Sequence, residues 1–95
     1  MTQQELSDLL QGFASSFLEA AHPGQAALSV SVEHPFQDPS YNARVTIRVQ
    51  DVQSATELRD GLVADPLLGG ALDDPIAVVD SDDPSEVRVL ARVDA

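Results

Sequence analysis

An α+β fold, a two-layer sandwich in the order α-β-β-α-β-β, is predicted by three observations on this sequence. Two stretches repeat apolar residues every three or four positions, as a helix with one buried face does. Three others alternate apolar and polar residues, and a fourth is a short apolar run, as half-buried and buried strands do. Proline, glycine and aspartate fall between them.

The first helix is predicted over 3–21. Leu6, Leu9, Leu10, Phe13, Phe17 and Ala21 form its stripe, and Ala14 and Leu18 widen it. Thr2 and Glu5 make a capping box, whose hydroxyl and carboxylate serve amides that a first turn leaves unpaired. His22-Pro23-Gly24 ends the helix, because a proline ring biases the preceding residue out of helical geometry. Gly12 weakens the helix by about 1 kcal/mol relative to Ala.

Residues 27–33 read as a strand, with Leu28, Val30 and Val32 on one side and Ser29, Ser31 and Glu33 on the other. His34 to Ser40 holds two prolines and reads as a loop. Residues 41–50 alternate again: Tyr41, Ala43, Val45, Ile47 and Val49 against Asn42, Arg44, Thr46, Arg48 and Gln50. A second capping box, Ser54 with Glu57, predicts a helix over about 55–64 with Leu58, Leu62 and Val63 inward. Asp65-Pro66 closes it, and residues 67–75 form an irregular connection. Ile76–Val79 is a short strand, Asp80–Ser85 a turn, and 86–93 the last strand. In that strand Val87, Val89, Ala91 and Val93 stand opposite Arg88, Leu90 and Arg92.

Two hairpins, each preceded by a helix, predict a four-stranded antiparallel sheet with both helices on one face. The right-handed crossover rule, applied from strand two through helix two to strand three, selects the spatial order 3-4-2-1. That is a circularly permuted ferredoxin-like arrangement.

One domain over 1–95 is expected for a chain of 95 residues. At this size roughly 5,300 Å² should stay exposed on folding, about a third of what the unfolded chain presents. Phe13, Phe17, Phe36 and Tyr41 are the sole aromatics, so Leu, Val, Ile and Ala must fill the core. With no Cys there is no disulfide, thiolate metal site or thiol nucleophile. No apolar run approaches the roughly 20 residues that span a bilayer, and Met-Thr-Gln-Gln-Glu lacks the basic start of a signal peptide. A cytoplasmic location is therefore expected.

Sixteen acids face five bases, all Arg, for a net charge of −11. The absence of Lys beside abundant Ala, Val, Asp and Arg fits a GC-rich genome; the acidity also fits a high-salt habitat or a basic partner. Residues 1–50 carry five acids and two Arg, whereas 51–95 carry eleven acids and three Arg. Such a chain is not expected to bind nucleic acid, which needs clustered positive charge.

No nucleophile elbow, zinc-protease helix, phosphate loop or dinucleotide fingerprint occurs in the sequence. His22 and His34 both precede Pro in loops and read as solvent-facing. Asp80, Asp82, Asp83 and Glu86 invite a Ca²⁺ reading, but counted as an EF-hand loop from Asp80 the sixth position is Ser85 and the twelfth Ala91. A solvated turn is the better description. Gly69-Gly70 reads as a turn leaving helix two. No cofactor, metal or catalytic residue is expected.

Arg44 and Arg48 share the polar side of strand two, and Arg88 and Arg92 that of strand four, with Leu90 between them. In the expected sheet these strands are central and adjacent, so four of the five positive charges gather on the helix-free face. Like charges placed opposite one another are unfavourable, so either Glu33, Asp51 and Glu86 compensate them or an acidic partner does. Stacking aromatics are missing from the strand centres: Tyr41 has the opposite parity and Phe36 lies in a loop. Arg44, Arg48, Arg88, Leu90 and Arg92 are therefore the expected partner-binding residues.

The expected function is a non-catalytic protein–protein interaction module or the small subunit of a larger assembly, a virion or other particle included. Its partner would be another protein, copies of itself among them, and neither nucleic acid nor membrane. The alternative is an acidic inhibitor or antitoxin-like protein that mimics nucleic acid in a basic site. The carboxylates of 51–95 would carry that role, and charge reversal of Asp73, Asp74, Asp82 and Asp83 would separate the two readings.

Overall fold

Thr2 closes its capping box as expected. Its hydroxyl accepts the Glu5 amide at 3.1 Å, the Glu5 carboxylate accepts the Thr2 amide at 3.4 Å, and α1 (Gln3–Ala21) follows. The computed structural model describes residues 2–38, 40–64 and 77–94. Gly69, Gly70, Asp73, Asp74 and Ile76 lie outside those residues. Along α1, Leu6, Leu10, Ala14 and Leu18 are fully buried, and Leu9, Phe13 and Phe17 pack half-buried against the same core. Ala21, expected on the stripe, lies past the last buried turn and is exposed. The helix ends at His22, whose amide donates to the Leu18 carbonyl at 2.7 Å. Gly24 then takes φ 91°, in the left-handed region where a Cβ is penalised.

The remaining elements are β1 (Ser29–Glu33), β2 (Ala43–Arg48), α2 (Val52–Ala64), β3 (Ala77–Val79) and β4 (Glu86–Ala91). The sheet order is β1-β2-β4-β3 with every neighbouring pair antiparallel, the expected order read from the other edge. Strands β2 and β3 both run against β4, hence parallel to each other, and a parallel connection needs a crossover. Helix α2 supplies it.

Alternation decides which face is covered. Ala43, Val45, Ile47 and Val49 on one central strand, and Val87, Val89, Ala91 and Val93 on the other, are all buried. They join Ala55, Leu58 and Leu62 of α2 and the buried row of α1 in one core, so both helices cover this face. The exposed surface is 5355 Å² and the radius of gyration 12.4 Å. A compact domain of this length is expected near 12 Å.

The strands are shorter than their alternation. Past the ladder, the Val49 amide donates to Ser85 O at 3.1 Å, and the Asn42 side chain brackets Val93 by donating to its carbonyl at 2.9 Å and accepting its amide at 2.8 Å. Those bonds keep Val49 and Val93 in the core beyond the regular pairing.

Three expectations are corrected. Helix α2 starts at Val52, capped by Asp51: the Asp51 carboxylate accepts the Ser54 amide at 2.8 Å. Ser54 is not the cap; it is buried inside the first turn, and its hydroxyl donates to Gln25 Oε1 at 2.9 Å. Val63 is 71% exposed, because the inward arc of α2 is filled by Ala55, Leu58 and Leu62. Leu28 is 63% exposed, because it precedes the regular strand instead of belonging to it.

Candidate functional site

On the helix-free face, register determines which charges meet. Arg44 stands beside Glu33 of β1 on one side and Leu90 of β4 on the other; Thr46 lies between Ser31 and Arg88; Arg48 lies between Ser29 and Glu86. Strand β3 adds Ala77 beside Leu90 and Val79 beside Arg88. Arg44, Arg48 and Arg88 are thus gathered on one face, and none of them is directly opposite another arginine; Arg92 is exposed just past the end of β4. The like-charge conflict anticipated from the sequence is removed by stagger.

Acids fill the alternate squares. Arg44 Nη2 lies 2.8 Å from Glu33 Oε2, and Arg48 Nη2 lies 2.9 Å from Glu86 Oε1. Arg88 reaches Asp82 at 3.8 Å and Glu86 at 4.0 Å, distances that give charge attraction without a good hydrogen bond. Asp51, the third acid expected here, caps α2 instead. The hydrogen bond and charge of Glu86 hold the Arg48 guanidinium above its ordinary pKa.

The loop after β1 folds onto one end of this face. Phe36 donates its amide to Asn42 O at 2.8 Å, and its ring lies under Arg44, 5.0 Å from the guanidinium carbon. Arg92 donates to Ser40 O at 3.1 Å. Phe36 therefore serves as a platform for an arginine. Nothing local in the sequence signalled this, since a loop phenylalanine acquires its neighbour from tertiary folding. The Nε atoms of Arg44 and Arg88 are buried with no hydrogen-bond partner. Such donors are unfavourable where they stand, at about 1–3 kcal/mol each for a typical buried group. Leu90 is half-buried between Arg44 and Ala77.

The acidic turn after β3 organises itself. Asp83 accepts the Ser85 amide at 2.9 Å and its hydroxyl at 2.7 Å, and these bonds, with the nearby Arg48 charge, hold its carboxyl below the usual range. Ser81 donates to Glu86 at 3.3 Å, and Asp80 pairs with Arg59 of α2. No group of three or more metal-ligating side chains capable of holding an ion occurs among the described residues. A groove of about 430 Å³ separates this turn from α2, lined by Thr56, Arg59, Asp80 and Asp83 among others.

His22 is the clearest departure from the sequence reading. Instead of facing solvent, its Nε2 lies 2.5 Å from Glu57 Oε2, joining the end of α1 to α2 with both groups about a third exposed. The partner is 35 residues away, so no local pattern marked it. Asp51 is nearby, and its carboxyl is held below the usual range, chiefly by the Ser54 amide and in smaller part by the His22 charge.

No protein-family model, curated protein or solved structure matches this chain. No helix among the described residues is long and apolar enough to cross a membrane.

Proposed function

We propose that this chain is a non-catalytic protein–protein interaction module, or the small subunit of an assembly, that meets its partner through the helix-free sheet face. The observation that carries the reading is the gathering of Arg44, Arg48 and Arg88 on that face, with Arg92 just past the end of β4. Glu33, Glu86 and Asp82 are the acids whose side chains pair with Arg44, Arg48 and Arg88 there. A partner surface with carboxylates has a complementary face to meet, and the buried, unpartnered Nε atoms give it donors to satisfy once the side chains shift.

Affinity capture of the intact chain from its source, with cross-linking to locate the contact, tests this. The partner should cross-link at the sheet face. The double substitution Arg48→Glu and Arg88→Glu should abolish capture while leaving the circular dichroism spectrum intact. Capture that survives this pair but disappears when Asp82 and Asp83 become Lys would transfer the function to the acidic side. The chain would then act as an acidic mimic of nucleic acid.

A further inference from the structure

The two edges of the sheet are treated differently. Strand β3 has three residues and runs into Asp80. Strand β1 has five, pairs with β2 in unbroken register, and carries no proline, lysine or bulge. Those are the devices that usually block an edge from further pairing. Among the described residues, the backbone of β1 on its outer side has no hydrogen-bond partner. Its inward Val30 and Val32 are half-buried, whereas the inward positions of the two central strands are fully buried. Beside Val32 a groove of about 320 Å³ opens under the start of α1, lined by Gln3, Gln4 and Ser7. The β1 edge thus combines unpaired backbone, two apolar side chains with room next to them, and small outward serines.

We infer that β1 is a docking edge for an extended segment of a basic partner protein, which adds as a fifth strand. Backbone pairing would supply affinity; alternate side chains of the segment would enter the groove beside Val32 or lie over Ser29 and Ser31. Charge selects the occupant. Helix α1, whose start lines the groove, carries Glu5 and Asp8 in its first two turns and no Lys or Arg, whereas Glu33 at the end of the strand is already paired with Arg44. A second copy would bring another −11 to the same edge, and its own acidic α1 beside this one. Basic side chains instead meet Glu5 and Asp8, which accept from the Thr2 amide and the Gln4 side chain, groups that carry no charge. The inference rests on the reading of the chain as an interaction module, and adds a second surface to it.

The test uses the full ¹⁵N-labelled chain and a panel of nine-residue peptides alternating Val, Ile or Thr with Lys or Arg. A matched panel carries Glu at the basic positions. Basic peptides should shift the amides of 29–33 together with Gln3, Gln4 and Ser7, and slow hydrogen exchange within β1. Their affinity should fall as salt rises. Ser31→Lys, on the solvent side where the core is not disturbed, should weaken binding at least tenfold, and Val32→Lys should do the same by filling the groove. Equal binding of the acidic panel would overturn the charge selection. Concentration-dependent dimerisation that protects the same amides would make a second copy the occupant and overturn the partner. Shifts confined to Arg44, Arg48, Arg88 and Arg92 would refute the edge while leaving the interaction-module reading intact. Failure of every peptide to bind would refute the edge as well.

Discussion

The two faces of β2 and β4 occupy the same stretch of sequence and are built on opposite principles. The inner face is uniform: Ala43, Val45, Ile47, Val49 and their β4 counterparts are all buried, and each contributes by leaving water. The outer face is a mosaic in which Arg44, Arg48, Glu86 and Arg88, all partly wet, stand among Thr46 and Leu90, and attraction between neighbours offsets their loss of hydration. Area buried should therefore govern stability on one side, whereas charge placement on the other should govern recognition more than stability.

The largest effect expected follows directly. Ile47 is fully buried, facing Val30 across β1 and Val87 across β4. Ile47→Ala removes apolar surface and leaves a cavity, so urea denaturation should show a loss of about 2–5 kcal/mol. Set against a total of about 5–10 kcal/mol for a small domain, that is a large share. The outer-face counterpart is Arg88→Met, which keeps the aliphatic bulk, removes a guanidinium with long ion pairs and eliminates a buried unpaired Nε. Its effect should stay within about 1 kcal/mol and could have either sign. A loss of 3 kcal/mol or more from Arg88→Met would erase the distinction between the faces.

The same contrast between packed and open sides separates two helical glycines. Gly12 is exposed on α1, and a Cβ built there meets nothing within 4 Å. Gly12→Ala should raise stability by about 0.5–1 kcal/mol through backbone entropy alone. Gly61 sits where α2 approaches α1, and a Cβ there would stand 2.5 Å from Cε2 of Phe17. That ring also stacks on Phe13, with centroids 6.2 Å apart. Gly61→Ala must displace the ring from its packing, so the helix-propensity gain should vanish or reverse. Thermal melts of the two variants side by side decide it, and equal stabilisation would mean the seam is loose.

What was legible in the sequence is what local periodicity encodes. The extent of α1, the parity of β2 and β4 and the placement of Arg44, Arg48 and Arg88 on one face come from spacings within single elements. Element order with the crossover rule then gave the strand order. The start of α2 was missed because Asp51 and Ser54 are both good caps three residues apart. A tertiary fact separates them: Ser54 is needed inside, against Gln25. The His22–Glu57 pair and the Phe36–Arg44 stack were invisible for a related reason, since packing supplies each partner. Pairing among the outer charges was half legible. Glu33 and Glu86 could be named, but register assigned them.

The smallest effect concerns two carboxylates that belong to neither face. Asp51 at the start of α2 and Asp83 in the turn before β4 each accept backbone amides, from Ser54 and Ser85 respectively, and both are held below their ordinary pKa. A carboxyl depressed in the folded state is more easily protonated in the unfolded one. It therefore contributes stability above the unfolded-state value near 3.8, and loses that contribution as pH falls through the lower folded-state value. Denaturation midpoints should be insensitive to these two groups from pH 5 to 7 and drop below about pH 4. Asp51→Asn and Asp83→Asn keep an acceptor but do not titrate, so each should lower the neutral midpoint by what the charged form contributes and flatten the acid limb to the same extent. An unchanged acid limb in the double variant would show that these two carboxylates are not its source.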